Sequence, residues 1–374
     1  MFKKITKCQI VILCIVIFLL LTGCTQIEEN NEIVIGVAWP FATNNNLFNE
    51  GIDLAVQEIN SSGGIKGREL RLLKEDDGSE LEKGMAIARS FTENMTIQAV
   101  IGHYNSFISI PVSAIYNNAG LVMLSPGSTA PALTKNGYKH IFRNIPSDDE
   151  IARQLAVYLA DQGYRRMAIY YSDDDYGSGL ANSFEDHART QGITIVDRFN
   201  YYSSTEDLRR LNSRWQAFGL DGIFIAKIMP EGGQFIFDAG QAGINVPFIA
   251  GDGLDSPLLS EIGGKAAEGT IIGSEFNPDI DRLEVKRFVT DFLNEYNEMP
   301  NSYAALGYDA VKMLAAAIAK SDLNNRSTVA KELMNLSRWS GAVGIHEFDE
   351  TGDDIGKLVV LKKLKDGKFE YLEK

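Results

Sequence analysis

The sequence predicts an α/β protein built as two doubly wound lobes around parallel sheets. Three observations carry this. Short apolar runs alternate with longer amphipathic ones, and the alternation begins afresh near residue 145. The length, 374 residues at 45% apolar and 23% charged, is long for one compact core and suits two domains.

The first unit opens with Ile33–Ala38 as a strand, then a helical stripe of Phe48, Ile52, Ala55, Val56 and Ile59 that Gly63-Gly64 ends. Residues 69–74 form a second strand. Ser79 and Glu82 have the spacing of a capping box that opens the next helix. Residues 98–101 and 121–124 are buried strands with an Ile108/Val112/Ile115/Tyr116 helix between them. The second unit starts with another Ser-x-x-Glu box, Ser147 and Glu150, then a strand at 167–171 and a helix over 177–190. Strands at 193–198, 222–226 and 247–250 follow. Helices over 283–296 and 303–320 have no strand partners of their own, so they return to cover the first lobe. Segments 346–348, 358–364 and 369–372 read as antiparallel strands. The expected division is 33–144 plus 276–345 for lobe 1 and 145–275 plus 346–374 for lobe 2, with linkers near Asn144, Gly273 and Gly356. Between such lobes lies a cleft, and ligands of doubly wound sheets bind at the carboxyl ends of the strands.

Composition narrows the function. The formal net charge is −14, and it becomes three units more negative once Lys3, Lys4 and Lys7 leave with the first 23 residues. Such a polyanion repels phosphate backbones and excludes nucleic-acid binding. All three cysteines, Cys8, Cys14 and Cys24, fall in the first 24 residues, so the body has no thiol nucleophile, zinc–thiolate site or disulfide. The four histidines (His103, His140, His187, His346) show no ligand spacing, and no metal or cofactor is expected. At the N-terminus a basic start precedes an apolar run over 10–21. Those 12 residues give about 18 Å of helix, too short for a bilayer that needs about 20, and read as a secretory signal. Its ending, Leu21-Thr22-Gly23-Cys24, resembles the bacterial lipobox, which implies a diacylglyceryl anchor on Cys24 and a tether over 25–31.

Three strand ends carry candidate chemistry. Gly102-His103-Tyr104-Asn105-Ser106 and Ser125-Pro126-Gly127-Ser128-Thr129 offer hydroxyls and backbone N–H groups at a helix start or turn, a cradle for a carboxylate. The bland alternative is that Ser106 and Thr129 only cap local backbone. On the second lobe, Asp252 stands between Gly251 and Gly253 after an apolar strand, placed either to face the cleft or to satisfy its own loop. A carboxylate cradle facing a carboxylate suits the zwitterion of an α-amino acid. Other motifs fare worse. His103 and Ser106 lack a Gly-x-Ser-x-Gly elbow. Gly177-Ser178-Gly179 lacks the third glycine of a dinucleotide fingerprint and reads as a relaxed helix start. Asp173-Asp174-Asp175 lacks the rest of a calcium loop and reads as a solvated loop. Lys227, after the strand at 222–226, is either a snorkelling edge lysine or a contact for an anionic ligand group.

The run IGHYNSFISIPVSAIYNNAGLVMLSPGSTAPALTKNGYKHIFR resembles the type I periplasmic binding proteins typified by the leucine/isoleucine/valine receptor. So do EINSSGGIKGREL, EDDGSE, YGSGLA, QAGINVPFIAGDG, AAEGT, YAALGYDAV and FDETGD, and the resemblance spans about 33–369. It implies two lobes joined by a three-stranded hinge, no enzymatic activity, and an amino acid or related acid or amide handed to an ABC permease. It also implies that Ser106 and Thr129, with the backbone at Gly127, hold the ligand carboxylate, that Asp252 receives the ammonium, and that Tyr176 and Tyr303 line the site. Two departures leave side-chain specificity open. The first loop reads WPFATNNNLFNEG without the usual glycines, and Lys227-Ile228 stands where many relatives have a tyrosine. Ser79 and Asn105 occupy the positions of a cysteine pair found in some relatives. Similar lobes also serve as sensors that present ligand to a kinase or chemoreceptor, and that remains the alternative function.

Overall fold

The computed structural model describes residues 32–43 and 46–372. The signal sequence, Cys24 and the tether lie outside the described residues. Two large sheets organise the chain. The first contains β1 (Glu32–Trp39), β2 (Glu69–Asp76), β3 (Ile97–Gly102), β4 (Val122–Ser125) and β5 (Ile141–Arg143), in the order β2-β1-β3-β4-β5. The second contains β6 (Arg166–Tyr171), β7 (Thr194–Phe199), β8 (Gly222–Ala226), β9 (Phe248–Ala250) and β10 (Ile271–Ser274), extended by β13 (Val360–Lys365) and β14 (Lys368–Tyr371). Its order, β14-β13-β10-β9-β8-β6-β7, repeats the first sheet's pattern with two strands added at one edge. Pairing is parallel from β1 through β3 and β4 to β5, and from β7 through β6, β8 and β9 to β10. The β10–β13 and β13–β14 pairs are antiparallel. The strand order therefore reverses beside β1 and β3 in one sheet and beside β6 and β8 in the other, and each reversal opens a crevice at the carboxyl edge.

Central strands are apolar along their whole length because helices cover both faces. β3 and β8 are buried at every residue. The late helix Ser302–Lys320 packs on the first sheet as expected: Leu306, Ala310, Leu314 and Ile318 join Ile35, Val37 and Ile52 in one core. β11 (Trp339–Gly341) and β12 (Gly344–His346) form a separate hairpin.

The chain crosses between the sheets three times, after β5, after β10 and after β12. The last crossing lies beyond Asp354. Residues through Asp354 stay with the first sheet, because His346 bonds Asp309 (3.1 Å) and Asp354 (2.6 Å), and Asp353 accepts from Arg143 (2.6 Å). Lys357 and Val359 then bond Gln154 on the second sheet's helix Asp148–Asp161.

Neither expected capping box forms. Ser79 sits in a left-handed turn (φ 59°) whose N–H bonds Asp77, and the helix Leu81–Glu93 starts after Glu80 without a side-chain cap. Ser147 holds the cap position but makes no cap bond, and Glu150 turns to Arg153 and Gln154. Asp174, read as part of a solvated loop, is a genuine cap. Its carboxylate accepts the Gly177 N–H at 2.8 Å and starts the helix Asp175–Thr190. Gly177 itself is required by close approach, since a Cβ there would lie 2.2 Å from the Ser172 hydroxyl.

Candidate ligand-binding site

Ser106 is the first residue of the helix Ser106–Asn118, directly beyond β3, and is buried. Its oxygen accepts the Ala130 N–H at 3.3 Å, which leaves its own proton to donate. Thr129 follows β4 after a turn. Its hydroxyl is buried and has no hydrogen-bond partner within the fold. Gly127 lies between them against two rings: a Cβ would sit 2.9 Å from both Trp39 Cη2 and Tyr104 Cδ2. Its N–H reaches the Ser125 hydroxyl at 3.3 Å, a long bond that holds it weakly.

Ser128 differs from its neighbours. Its hydroxyl stands 3.0 Å from the carbonyls of His103 and Tyr104 and 2.5 Å from Ser109 Oγ. With its one proton committed there, the side chain ties the two cradle loops together and has none for a ligand, which corrects the expectation of a ligand contact. His103 is likewise structural. Its ring bridges Asp77 (2.7 Å) and Tyr116 (3.2 Å) in full burial, and its carbonyl accepts from Ser109, Ser125 and Ser128.

On the opposite wall, Asp252 is 3% exposed beyond β9, and Tyr176 in the first turn of its helix donates to Asp252 Oδ1 at 3.1 Å. The Gly253 N–H donates to the same phenol oxygen at 3.1 Å, fixing the ring. Burial pushes the Asp252 carboxyl up to about 7, against the lowering pull of the Tyr176 hydroxyl. Tyr303, at the start of its long helix, is buried with its hydroxyl 3.3 Å from that of Tyr104. Burial raises its phenol most, then Tyr104 and the charges of Asp252 and Glu275, so both carboxyls face it electrostatically.

Lys227 does not join this group. Its ammonium lies 4.8 Å over the Tyr170 ring, on the helix-covered side of the sheet where Tyr170 packs with Phe199, Tyr202 and Phe235. The carboxylates acting on it are Glu231 and Asp174. Its side chain has the placement of a snorkelling lysine.

Three residues that sequence reasoning passed over, Trp39, Asp148 and Glu275, stand beside these site residues, together with Tyr104 from the first strand-end run. Trp39 ends β1, stacks on Phe48 (3.8 Å between centroids) and meets Tyr104 and Tyr303 edge-on at 5.0 and 6.3 Å. With Tyr104 it makes an apolar, aromatic wall. Asp148, the first residue of its helix after β5, is fully buried and neither carboxyl oxygen has a partner in the fold. Burial, followed by the charge of Asp252, pushes it well above the ordinary carboxyl range; the neighbouring Thr129 hydroxyl eases that shift without reaching bonding geometry. Glu275 follows β10 directly, is 6% exposed, and has an unpartnered Oε1. The signal that could have found both acids is the one that found Asp252, an acid immediately beyond the carboxyl end of a parallel strand. The lobes meet around this site: a Cβ on Gly179 would touch Asp148 Oδ2 at 3.4 Å and Pro131 Cδ at 3.5 Å.

Hydroxyl donors on one wall, carboxyls on the other and aromatic rings between them suit a small zwitterion with an apolar side chain. Comparison with known proteins agrees. A periplasmic binding protein model matches residues 33–367. The leucine-specific-binding protein of Salmonella typhimurium is 30% identical, covering 98% of this chain and 96% of that protein. The Leu/Ile/Val-binding protein homolog 1 of Brucella suis is 29% identical, covering 91% and 94%. The structure of an ABC transporter substrate-binding protein from Desulfitobacterium hafniense, in complex with Leu, is similar at 61% identity and a TM-score of 0.86, covering 91% of this chain and 100% of that one.

Proposed function

The chain belongs to the periplasmic binding protein family, and from that premise we propose that it binds leucine or a close branched-chain relative between its lobes and delivers it to an ABC permease. Its relatives are solute-binding proteins of branched-chain amino-acid ABC transport, and the chain is a binding protein and not an enzyme. The observation that carries the reading is the opposition across the cleft. Ser106 and Thr129 keep hydroxyl protons for a carboxylate, while Asp252, with Asp148 beside it, awaits an ammonium. The rings of Trp39, Tyr104 and Tyr303 supply the apolar contact for the ligand's side chain. The 61% identity to a protein solved with Leu supports leucine within that class.

Thermal melts and calorimetry with leucine, isoleucine and valine test this against two analogues, one lacking the amino group and one with an amidated carboxyl. Leucine at about 1,000 times its dissociation constant stabilises by about 4 kcal/mol. Equal binding of the deaminated analogue would sink the reading. The sites, the two lobes with linkers near Asn144, Gly273 and Gly356, and hinged closure around ligand belong to the same proposal. Small-angle scattering that finds one radius of gyration with and without leucine would argue for a rigid pocket. Anchoring through an acylated Cys24 on the outer face of the cell membrane completes it. Membrane-extracted protein should carry a diacylglyceryl cysteine at its N-terminus, and Cys24→Ala should lack it.

A further inference from the structure

The cleft holds more acid than one ammonium requires. Asp252 and Glu275 follow β9 and β10 within two residues and Asp148 opens the helix after β5; they are 3%, 6% and 0% exposed. Asp252 acts on both of the others, with Tyr303 facing Asp252 and Glu275 and Tyr176 facing Asp252 and Asp148. Both oxygens of Asp148 and Oε1 of Glu275 lack any partner in the fold, while Asp252 has the Tyr176 hydroxyl. The nearby cations are committed elsewhere. Lys362 on β13 sits 2.8 Å from both oxygens of Asp255. Arg143 bonds Asp353, Thr134 and the carbonyls of Ser128 and Ala130. Asp174 and Asp255, the remaining charged groups acting on the cluster, are themselves acids and make ionisation harder. Among the described residues no cation forms an ion pair with any of these three buried carboxyls, and they cannot all be ionised together.

We propose that amino-acid binding here is coupled to release of a proton, and that Glu275 is a further positioning residue that competes with Asp252 for ionisation until the ligand's ammonium arrives. The step balances simply. A carboxyl O–H breaks, its proton leaves to solvent, and the carboxylate left behind pairs with the incoming ammonium. An ammonium thus takes the place of the proton at the carboxylate, while the ligand's own carboxylate goes to the hydroxyl cradle and the cleft becomes one unit more negative. The raised carboxyls of all three residues accord with it, burial being the main cause at each. Because a proton leaves on binding, affinity rises with pH until the cluster has ionised and falls on acidification.

This inference rests on the amino-acid reading above, and one experiment separates the two. Leucine is titrated into the full-length protein by calorimetry, between pH 5.5 and 8, in buffers of different ionisation enthalpy. We expect about one proton released per leucine near pH 6 and a Kd that weakens by about tenfold per pH unit below 7. Glu275→Gln should still bind leucine but release less and show a shallower slope, which loss of a merely structural contact would not produce. Heat independent of buffer and a flat Kd would overturn the coupling while leaving the amino-acid reading intact. An unchanged slope in Glu275→Gln would overturn the role of Glu275. Absence of leucine binding at every pH would overturn the amino-acid reading and this inference with it.

Discussion

Asp252 and Asp255 stand three residues apart in the loop beyond β9, both in deep burial, and their surroundings are opposite. Burial alone would raise both carboxyls. At Asp255 the Lys362 ammonium, with hydroxyls from Ser274 (2.6 Å) and Ser302 (2.8 Å), outweighs burial and holds the group below its ordinary value. At Asp252 the Tyr176 hydroxyl does not, and the carboxyl rises to about 7. The same contrast separates the third crossing from the cleft. There Asp354 meets His346 and Lys357, and after burial is set against those charges its carboxyl ends low. Where an acid serves the fold, the chain supplies its cation. At Asp252 no cation stands within ion-pair distance among the described residues, in keeping with the ammonium site proposed for it.

That contrast can be broken most sharply at Asp252. Asp252→Asn should weaken leucine binding by roughly 100- to 5,000-fold, about 3–5 kcal/mol, because the bound ammonium loses its counter-charge. Its ligand-free stability should hold or rise, since a costly buried acid is gone. Lys362→Met should do the reverse, costing about 3–5 kcal/mol in urea unfolding by leaving Asp255 buried without its ammonium. An Asp252→Asn protein that unfolds easily, or a Lys362→Met protein as stable as wild type, would end the distinction.

The pH dependence of stability sharpens it. A carboxyl raised in the folded state binds more protons there than in the unfolded chain, so Asp252 makes ligand-free stability fall as pH climbs from about 4 to 7. The lowered Asp255 and Asp354 contribute stability above about pH 4 that is lost as pH drops through their folded values. Melts without ligand should therefore peak on the acid side of neutrality, and leucine should move the optimum upward. A ligand-free optimum at pH 7 or above contradicts this.

Smaller effects divide the cradle. Ser106→Ala and Thr129→Val should each cost about 1.5–3 kcal/mol of leucine affinity, one hydrogen bond to a charged group. Ser128→Ala should cost about 1 kcal/mol of stability and leave affinity nearly unchanged, because its hydroxyl serves His103 and Tyr104. Equal affinity losses at 106, 128 and 129 would return Ser128 to the ligand.

What the sequence disclosed follows from what is local. Alternating apolar runs and the carboxyl ends of parallel strands are written in short windows, and they were enough to mark the strand ends where Ser106, Thr129 and Asp252 lie buried; the ligand roles proposed for them came from the family resemblance. Trp39 and the wall role of Tyr104 were missed because nothing near them in the chain says that an amphipathic ring will be buried there; distant elements decide that. Asp148 and Glu275, by contrast, follow strand ends as Asp252 does and were passed over. Lys227 was partly readable. It shares the period-two face of Ile223 and Ile225, which turn toward Tyr170 under the helices rather than toward the cleft. The first Ser-x-x-Glu box failed because the helix cap falls on Glu80, one residue after Ser79, and the second because Glu150 pairs with Arg153 instead of reaching back to the helix end.

The helix Ser302–Lys320 covers strands made at the start of the chain, and this constrains how the protein comes into being. While the polypeptide emerges, β1 to β5 appear early, yet the side of their sheet that will carry Leu306, Ala310 and Leu314 stays bare until most of the chain has been made. The second sheet waits as well, since β13 and β14 arrive last and complete its edge. Neither half can settle as a finished module ahead of the other, and such long-range closures are slow. A connectivity of this kind delays self-burial, keeping the nascent chain open for a longer time than two lobes strung one after the other would.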